Sequence, residues 1–159
     1  MSRDARFEDG VDAPLNLGAL DADDLRVLST LVQDAVFPIT EMRWLKGENR
    51  FALLLNRFRW EDAAAAERRG RAVERVQAVL VFDNVLAVAS QGVDRADRDL
   101  VLSLLSLAFE PGEEGAGAVI LTLAGDGAIR LSVEALEATL KDVTRPYLAP
   151  SGAVPRHEA

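Results

Sequence analysis

The segment from Arg50 to Trp60 changes its pattern of apolar residues halfway along its length. Phe51 to Leu55 is an unbroken apolar run, and the residues that follow alternate between polar and apolar side chains. Successive side chains of a β-strand point to opposite faces, so a strand that is apolar on both faces is expected to be covered on both sides. The sequence therefore predicts a strand whose first half lies between two layers and whose second half meets water on one side.

The two faces of this strand lead to different expectations. The even-numbered positions form an apolar face interrupted by one asparagine and are predicted to point into the core: Ala52, Leu54, Asn56, Phe58 and Trp60. The odd-numbered face is apolar up to Leu55 and basic beyond it, at Arg57 and Arg59. We expect an amphipathic helix near the N-terminus to cover the apolar half of the odd-numbered face.

That helix is predicted to follow a short strand in which Leu15, Leu17 and Ala19 alternate with other residues. Asp21 is a suitable N-cap, because its carboxylate can accept a hydrogen bond from a free N–H of the first turn. Apolar residues then recur at helical spacing up to Pro38, which stops any continuation: Leu25, Leu28, Leu31 and Val32.

Short turns separate the strands predicted after this helix. Residues 46–49 join strands within 39–45 and 50–60, and Asp83-Asn84 joins a strand at 71–82 to a returning strand at 85–89. A strand at 100–109 follows, and residues 125–127 then join strands at 118–123 and 128–131. Such strands must be antiparallel, because a parallel crossover needs about a dozen residues or more.

The C-terminal part of the pattern predicts a helix. Ser132 is a suitable cap, and apolar residues follow at three- and four-residue spacing: Val133, Leu136, Leu140 and Val143. The sequence thus predicts an α+β fold, a strongly bent antiparallel sheet or barrel of about seven strands with a C-terminal helix and an added N-terminal strand and helix. Residues 14–146 are expected to form a single domain, between disordered segments at 1–13 and 147–159.

The composition excludes several kinds of chemistry. The chain has no cysteine and one histidine, His157, so disulfides, zinc–thiolate sites and thiol nucleophiles are absent and a histidine-based triad has little to draw on. The aspartates of 94–99 alternate with arginines and lack the glycine and distal glutamate of a calcium loop. The sequence shows no nucleophile motif and no phosphate loop, so we predict no catalytic residue, no cofactor and no metal.

Charge and apolar run lengths give the expected location and partners. A net charge of −8 argues against nucleic acid and against anionic membrane surfaces as partners. The N-terminal residues lack the apolar region of a secretory signal, and the longest apolar run is half of the roughly 20 residues that a membrane span needs. We expect a cytoplasmic protein whose partner is a protein or peptide, and a homodimer is a second reading.

Three segments resemble a family of small bacterial proteins known only as a domain of unknown function: RFALLLNRFRWE, FDNVLAVASQGVD and GAIRLSVEALEATLKDV. The resemblance extends roughly over residues 15–146 and implies no activity and no functional residue. The order of the predicted elements is separately similar to pleckstrin-homology-like barrels, in which a C-terminal helix closes one end of a bent sheet.

Two surfaces are candidates for binding. Arg57, Arg59 and Trp60 could form a basic and aromatic patch for an anionic headgroup, a carboxylate tail or RNA, with more arginines nearby at 68, 69, 71 and 75. In the alternative reading these arginines pair with the surplus carboxylates and Trp60 fills the core. The other surface is the groove between the strand at 100–109 and the C-terminal helix, where a peptide could add a strand.

The leading function from the sequence is a non-enzymatic protein-binding or adaptor module. The alternative is a small-molecule-binding protein or an enzyme with its site in the barrel mouth. A pocket of ~300 Å³ or more with converging polar groups would favour the alternative. An uncovered strand edge or a flat apolar patch would favour the binding module.

Overall fold

The structure is a computed structural model that describes residues 14–148. It contains two α-helices, α1 (Ala22–Leu31) and α2 (Ala63–Arg68), and three 3₁₀ turns, at Ile39–Glu41, Lys46–Glu48 and Trp60–Asp62. Its strands are β1 (Asn16–Ala19), β2 (Val36–Pro38), β3 (Met42–Leu45), β4 (Arg50–Phe58), β5 (Arg75–Phe82), β6 (Val85–Gln91), β7 (Val101–Pro111), β8 (Gly117–Leu123), β9 (Ala128–Val133) and β10 (Ala138–Asp142). The disorder predicted for 1–13, and for 147–159 beyond Leu148, lies outside the described residues, whereas Tyr147 forms an antiparallel bridge with Arg75.

The strands of the described residues form one open antiparallel sheet. Its order is β1-β10-β5-β4-β2-β7-β8-β9-β6, and β3 pairs with β4 off this path. The α+β class with a mostly antiparallel sheet is confirmed, with ten strands rather than about seven. The sheet does not close, because β1 and β6 lie at its two ends. The pleckstrin-homology-like arrangement is not confirmed.

The predicted C-terminal helix is wrong, since Ser132 and Val133 end strand β9 and residues 138–142 form strand β10. Burial alternates along this strand, with Ala138, Leu140 and Asp142 buried and Lys141 exposed. β10 pairs with β5 on one side and with β1 on the other. Helix propensities differ by less than about 1 kcal/mol per ordinary residue, so two backbone ladders and a buried face outweigh the local preference.

The turn at Asp83-Asn84 has the predicted backbone conformation but does not join two paired strands. Asn84 has a φ of 63°, as a tight turn of this kind requires. β5 and β6 do not pair with each other, however, because β5 pairs with β4 and β10 while β6 pairs with β9. The expectation of a returning strand is therefore wrong, and the turn carries the chain from one half of the sheet to the other.

Helix α1 begins as predicted and spans the bend of the sheet. The Asp21 carboxylate accepts a 2.8 Å hydrogen bond from the Asp24 N–H. The helix packs against β1 and β7, which are five places apart in the sheet order, so the sheet must curve for both to reach it. Ser29 Oγ also accepts a 2.9 Å hydrogen bond from the Leu107 N–H, so the helix satisfies part of the β7 edge.

The core face of β4 is the reverse of the predicted one. Phe51, Leu53 and Leu55 are buried, whereas Ala52 and Leu54 are half-buried. The three buried residues belong to the same core cluster as Leu25 and Leu28 of α1. The apolar run made both faces equally suitable, and pairing with β5 selected the odd face by placing Phe51 and Leu53 opposite the buried Phe82 and Leu80.

None of the helices within residues 14–148 combines the length and the apolarity that a membrane crossing requires.

Two neighbouring leucines test which face of β4 is the core. Leu53→Ala should lower the free energy of unfolding by about 2–5 kcal/mol, because it opens a cavity at a buried site. Leu54→Ala should cost less than half as much, because Leu54 lies on the half-buried face. Urea unfolding followed by circular dichroism measures both. Equal costs, or a larger cost at Leu54, would contradict this assignment.

Candidate functional site

A fully buried arginine lies where the core face of β4 ends. Arg57 is 0% exposed, and all five of its N–H donors are used. Its Nε and Nη2 atoms donate to the two Asp142 carboxylate oxygens at 3.0 and 2.9 Å. Its Nη1 and Nη2 atoms donate to the two Glu61 oxygens at 2.9 Å, and Nη1 also donates to the Phe58 carbonyl at 3.1 Å. The guanidinium is therefore held by two bidentate carboxylates.

Asp142 extends this cluster to the first strand. Its Oδ2 accepts a 2.9 Å hydrogen bond from the Leu15 N–H, and its own N–H donates to the Leu15 carbonyl at 2.9 Å. One carboxylate thus connects β4, β10 and the residue that precedes β1.

A second cluster surrounds Arg59, whose side chain is 3% exposed. Arg59 Nη1 lies 2.5 Å from Glu74 and 3.5 Å from Asp62, and Arg71 Nη2 donates to Asp62 at 2.7 Å. Trp60 stands beside it, with its indole N–H donating to the Gln33 carbonyl at 2.8 Å. These contacts fix the turn after β4 against the turn after α1.

The electrostatics of the first cluster stabilise its charged form. Burial alone would raise the pKa of Glu61, but hydrogen bonds and Coulombic attraction from Arg57 outweigh it and hold that pKa below its ordinary value. Burial likewise opposes the charge of Arg57, and the bonds from Glu61 and Asp142 reverse the effect and raise the arginine pKa.

The structure brings Arg57, Arg59 and Trp60 together, but it buries both guanidiniums. The alternative in which the arginines pair with carboxylates agrees with these contacts. That the three residues bind a partner stays a prediction, since Trp60 alone of the three is half-exposed. The second predicted surface, a groove beside a C-terminal helix, is lost with that helix.

The free edge of β6 is a surface that the sequence did not single out. β6 pairs with β9 and lies at the end of the sheet. Its seven residues carry no charge and no proline, and Leu86 is 55% exposed. Beside it the outer face of the sheet has a depression of about 240 Å³, lined by Ala89, Ser90, Gln91, Ile120, Ala128 and Arg130. The uncharged sequence VLAVASQ gave no signal of an edge, because it reads like an interior strand.

Two larger clefts exist in the described part of the chain. A cleft of about 510 Å³ is lined by Pro14, Glu74, Thr144, Arg145 and Pro146. Another, of about 360 Å³, lies along β3 and is lined by Ile39, Thr40, Met42, Arg43, Trp44, Leu45 and Arg98. Within residues 14–148 no group of three or more histidine, cysteine or acidic side chains is placed to hold a metal ion.

Comparison with known proteins yields one match. The sequence profile of a family described as "Protein of unknown function (DUF2948)" matches residues 15–157. No curated protein and no solved structure matches the chain.

Loss of one partner of Arg57 should be costly. Asp142→Ala should lower the free energy of unfolding by about 3–5 kcal/mol, because it leaves a buried guanidinium without two of its five acceptors. Asp83→Ala is the matched control, since Asp83 bonds Arg50 at 2.8 Å at the surface, where such pairs contribute about 0–1 kcal/mol. Chemical denaturation at pH 7 gives both values. A similarly small loss of unfolding free energy in the two variants would contradict the conclusion that the buried charge of Arg57 depends on Asp142.

The lowered pKa of Glu61 predicts a pH dependence. Below the ordinary pKa of 4.5, Glu61 is protonated in the unfolded chain but still ionised in the folded chain. The stabilisation that Glu61 contributes is therefore fully present above that pH and is lost as the pH falls through its pKa in the folded state. Glu61→Gln should remove this part of the acid-dependent loss. Urea midpoints between pH 7 and pH 3 measure it, with Glu113→Gln, which has no ion pair in the described chain, as the control. Identical profiles for Glu61→Gln and the wild type would refute the prediction.

Proposed function

The chain belongs to the DUF2948 family of proteins of unknown function, and we propose a function for it from its surface alone. We propose that it is a protein-binding module that adds an extended segment of its partner to the free edge of β6. The family supplies no activity to carry over. The observation that carries the proposal is the uncovered, uncharged edge of that strand.

The edge of β6 has the backbone groups that a further strand needs. An edge strand presents a row of unpaired N–H and C=O groups, and proteins usually protect such edges by shortening them or by placing charges or proline there. Two other edge strands, β1 and β3, have four residues each. β6 has an irregularity between Val85 and Ala87, after which its five residues to Gln91 pair in regular register with β9. The edge of β6 carries neither charge nor proline, whereas the part of β7 that extends beyond β2 ends in Glu110 and Pro111.

The depression beside β6 supplies a seat for side chains. A strand added to β6 would place every second side chain on the outer face next to Ala89, at the margin of the depression. Small side chains at 89 and 128 leave room for a larger apolar one. Backbone bonds then provide affinity and the depression provides selectivity, as in other cases of strand addition.

The charges at the ends of β6 favour a segment of another protein over a second copy of this chain as the added strand. Glu134 lies at one end of β6, where its N–H donates to the Asn84 carbonyl at 2.9 Å. Asp126 lies at the other end, against the backbone of Gly92. Neither carboxylate forms an ion pair within the described residues, and a second copy would bring a further net charge of −8. An extended apolar segment with basic residues at both ends fits better than a second copy.

A labelled synthetic peptide of alternating valine and threonine with a lysine at each end tests this proposal. Fluorescence anisotropy should show binding to the wild-type protein, and amide chemical shifts should change at Ala87–Gln91. The double variant Ala87→Lys plus Ala89→Lys should weaken binding by roughly tenfold or more, because charges on an edge oppose strand addition. Both alanines are exposed, so the variant is expected to fold.

The control is Ala64→Lys, the same exchange at an exposed position of α2. It should bind like the wild type, and a peptide with glutamate at its ends should bind more weakly. Equal binding by the edge variant and the wild type would contradict the proposal. So would a wild-type dimer that the edge variant converts to monomers, which would make the occupant a second copy.

A further inference from the structure

We propose that the cleft along β3 binds a small anionic molecule through a carboxylate or phosphate group. The cleft arises where the sheet forks. β2 pairs with both β4 and β7, but after the 3₁₀ turn at Ile39–Glu41 the chain continues as β3, which pairs with β4. The other edge of β3 has no strand beside it in the described chain, so its backbone groups border the cleft.

The side chains that line this cleft carry positive charge, whereas the protein as a whole has a negative net charge. The chain carries 26 acidic and 18 basic residues, yet the described residues that line the cleft include no carboxylate and two arginines, Arg43 and Arg98. A positive cleft in an acidic protein attracts anions locally even though the whole molecule repels them.

The donors of the cleft are free in the described structure. Arg43 and Arg98 form no ion pair and no hydrogen bond with another residue of 14–148, and the same holds for the Thr40 hydroxyl and the Trp44 indole N–H. By contrast, the exposed Arg130 pairs with Glu110 at 3.0 Å. Two unpaired guanidiniums beside a hydroxyl and an indole N–H supply the donors that an oxyanion requires.

The nearby Asp94 and Asp97 carboxylates bond to their own loop and form no ion pair with Arg98 in the described structure. The Asp94 carboxylate accepts from the Ala96 N–H at 3.1 Å, and the Asp97 carboxylate accepts from the Asp99 N–H at 3.1 Å. The loop is then tied to the start of the fork, since the Ile39 N–H donates to the Leu100 carbonyl at 2.9 Å. The loop that carries Arg98 is thereby joined to the segment that precedes β3.

The size of the cleft limits the ligand. About 360 Å³ is near the lower end of the roughly 300–1,000 Å³ that small-molecule sites occupy. Two guanidiniums can each bind an oxyanion bidentately, which suits a phosphate or a carboxylate group on a small molecule.

Titration with inorganic phosphate and, separately, with succinate at constant ionic strength tests the proposal. The readout is the indole N–H signal in ¹⁵N–¹H spectra, because the chain has two tryptophans and Trp60 serves as an internal reference with its N–H bonded to Gln33. The Trp44 signal should shift in a saturable way while the Trp60 signal stays in place. The anion that binds more tightly identifies the ligand group as phosphate or carboxylate.

Arg43→Ala and Arg98→Ala should each weaken this binding by roughly tenfold or more, because each removes a charged donor. Arg95→Ala is the matched control, since Arg95 belongs to the same loop and does not line the cleft. It should change the affinity by less than about twofold. The proposal is overturned if neither anion gives a saturable Trp44 shift up to ~50 mM, far above millimolar dissociation constants. It is also overturned if Arg95→Ala weakens binding as much as the two cleft variants do.

Discussion

A single buried guanidinium determines how one end of this sheet is assembled. Arg57 has no contact with water, so its charge is tolerable only while Asp142 and Glu61 remain in place. Asp142 in turn bonds both backbone groups of Leu15, which ties β1 and β10 to the end of β4. The sequence predicted that a C-terminal helix would cover this end of the sheet. In the structure an ionic cluster with all of its hydrogen bonds formed closes it, and those bonds require one arrangement of β1, β4 and β10.

The bend of the sheet follows from α1 and leaves the binding surfaces elsewhere. The helix contacts β1 and β7 and covers the concave side between them, where the core residues of β4 and β5 lie. Its Ser29 also satisfies an N–H at the β7 edge. Free backbone groups remain where no helix reaches, as along β6 and β3. The two proposed sites have this origin in common, because each lies at a place where a ladder ends and nothing in the described chain replaces it.

The candidate site shows which of its features could be predicted from the sequence and why the others could not. The alternation after Leu55 correctly marks a change along β4, but its reading as a surface is wrong for Arg57 and Arg59. The partner that decides the burial of Arg57 is Asp142, which is 85 residues away in the chain. No local pattern reveals a pair of that separation. The β6 edge was missed for a related reason, since an edge is defined by which strands pair, and β6 reads like any interior strand.

The sequence alone determined the features that depend on neighbouring residues. These are the Asp21 cap, the apolar stripe of α1, the positive φ at Asn84 and the hairpin between β8 and β9, because each rests on local sterics or on hydrogen bonds within a few residues. Tertiary structure decided the rest. It made 138–142 a strand, chose the odd face of β4 for the core and paired β6 with β9 instead of β5. Those outcomes depend on ladders and buried charges between distant segments, whose free energies exceed the small local preferences that a sequence pattern records.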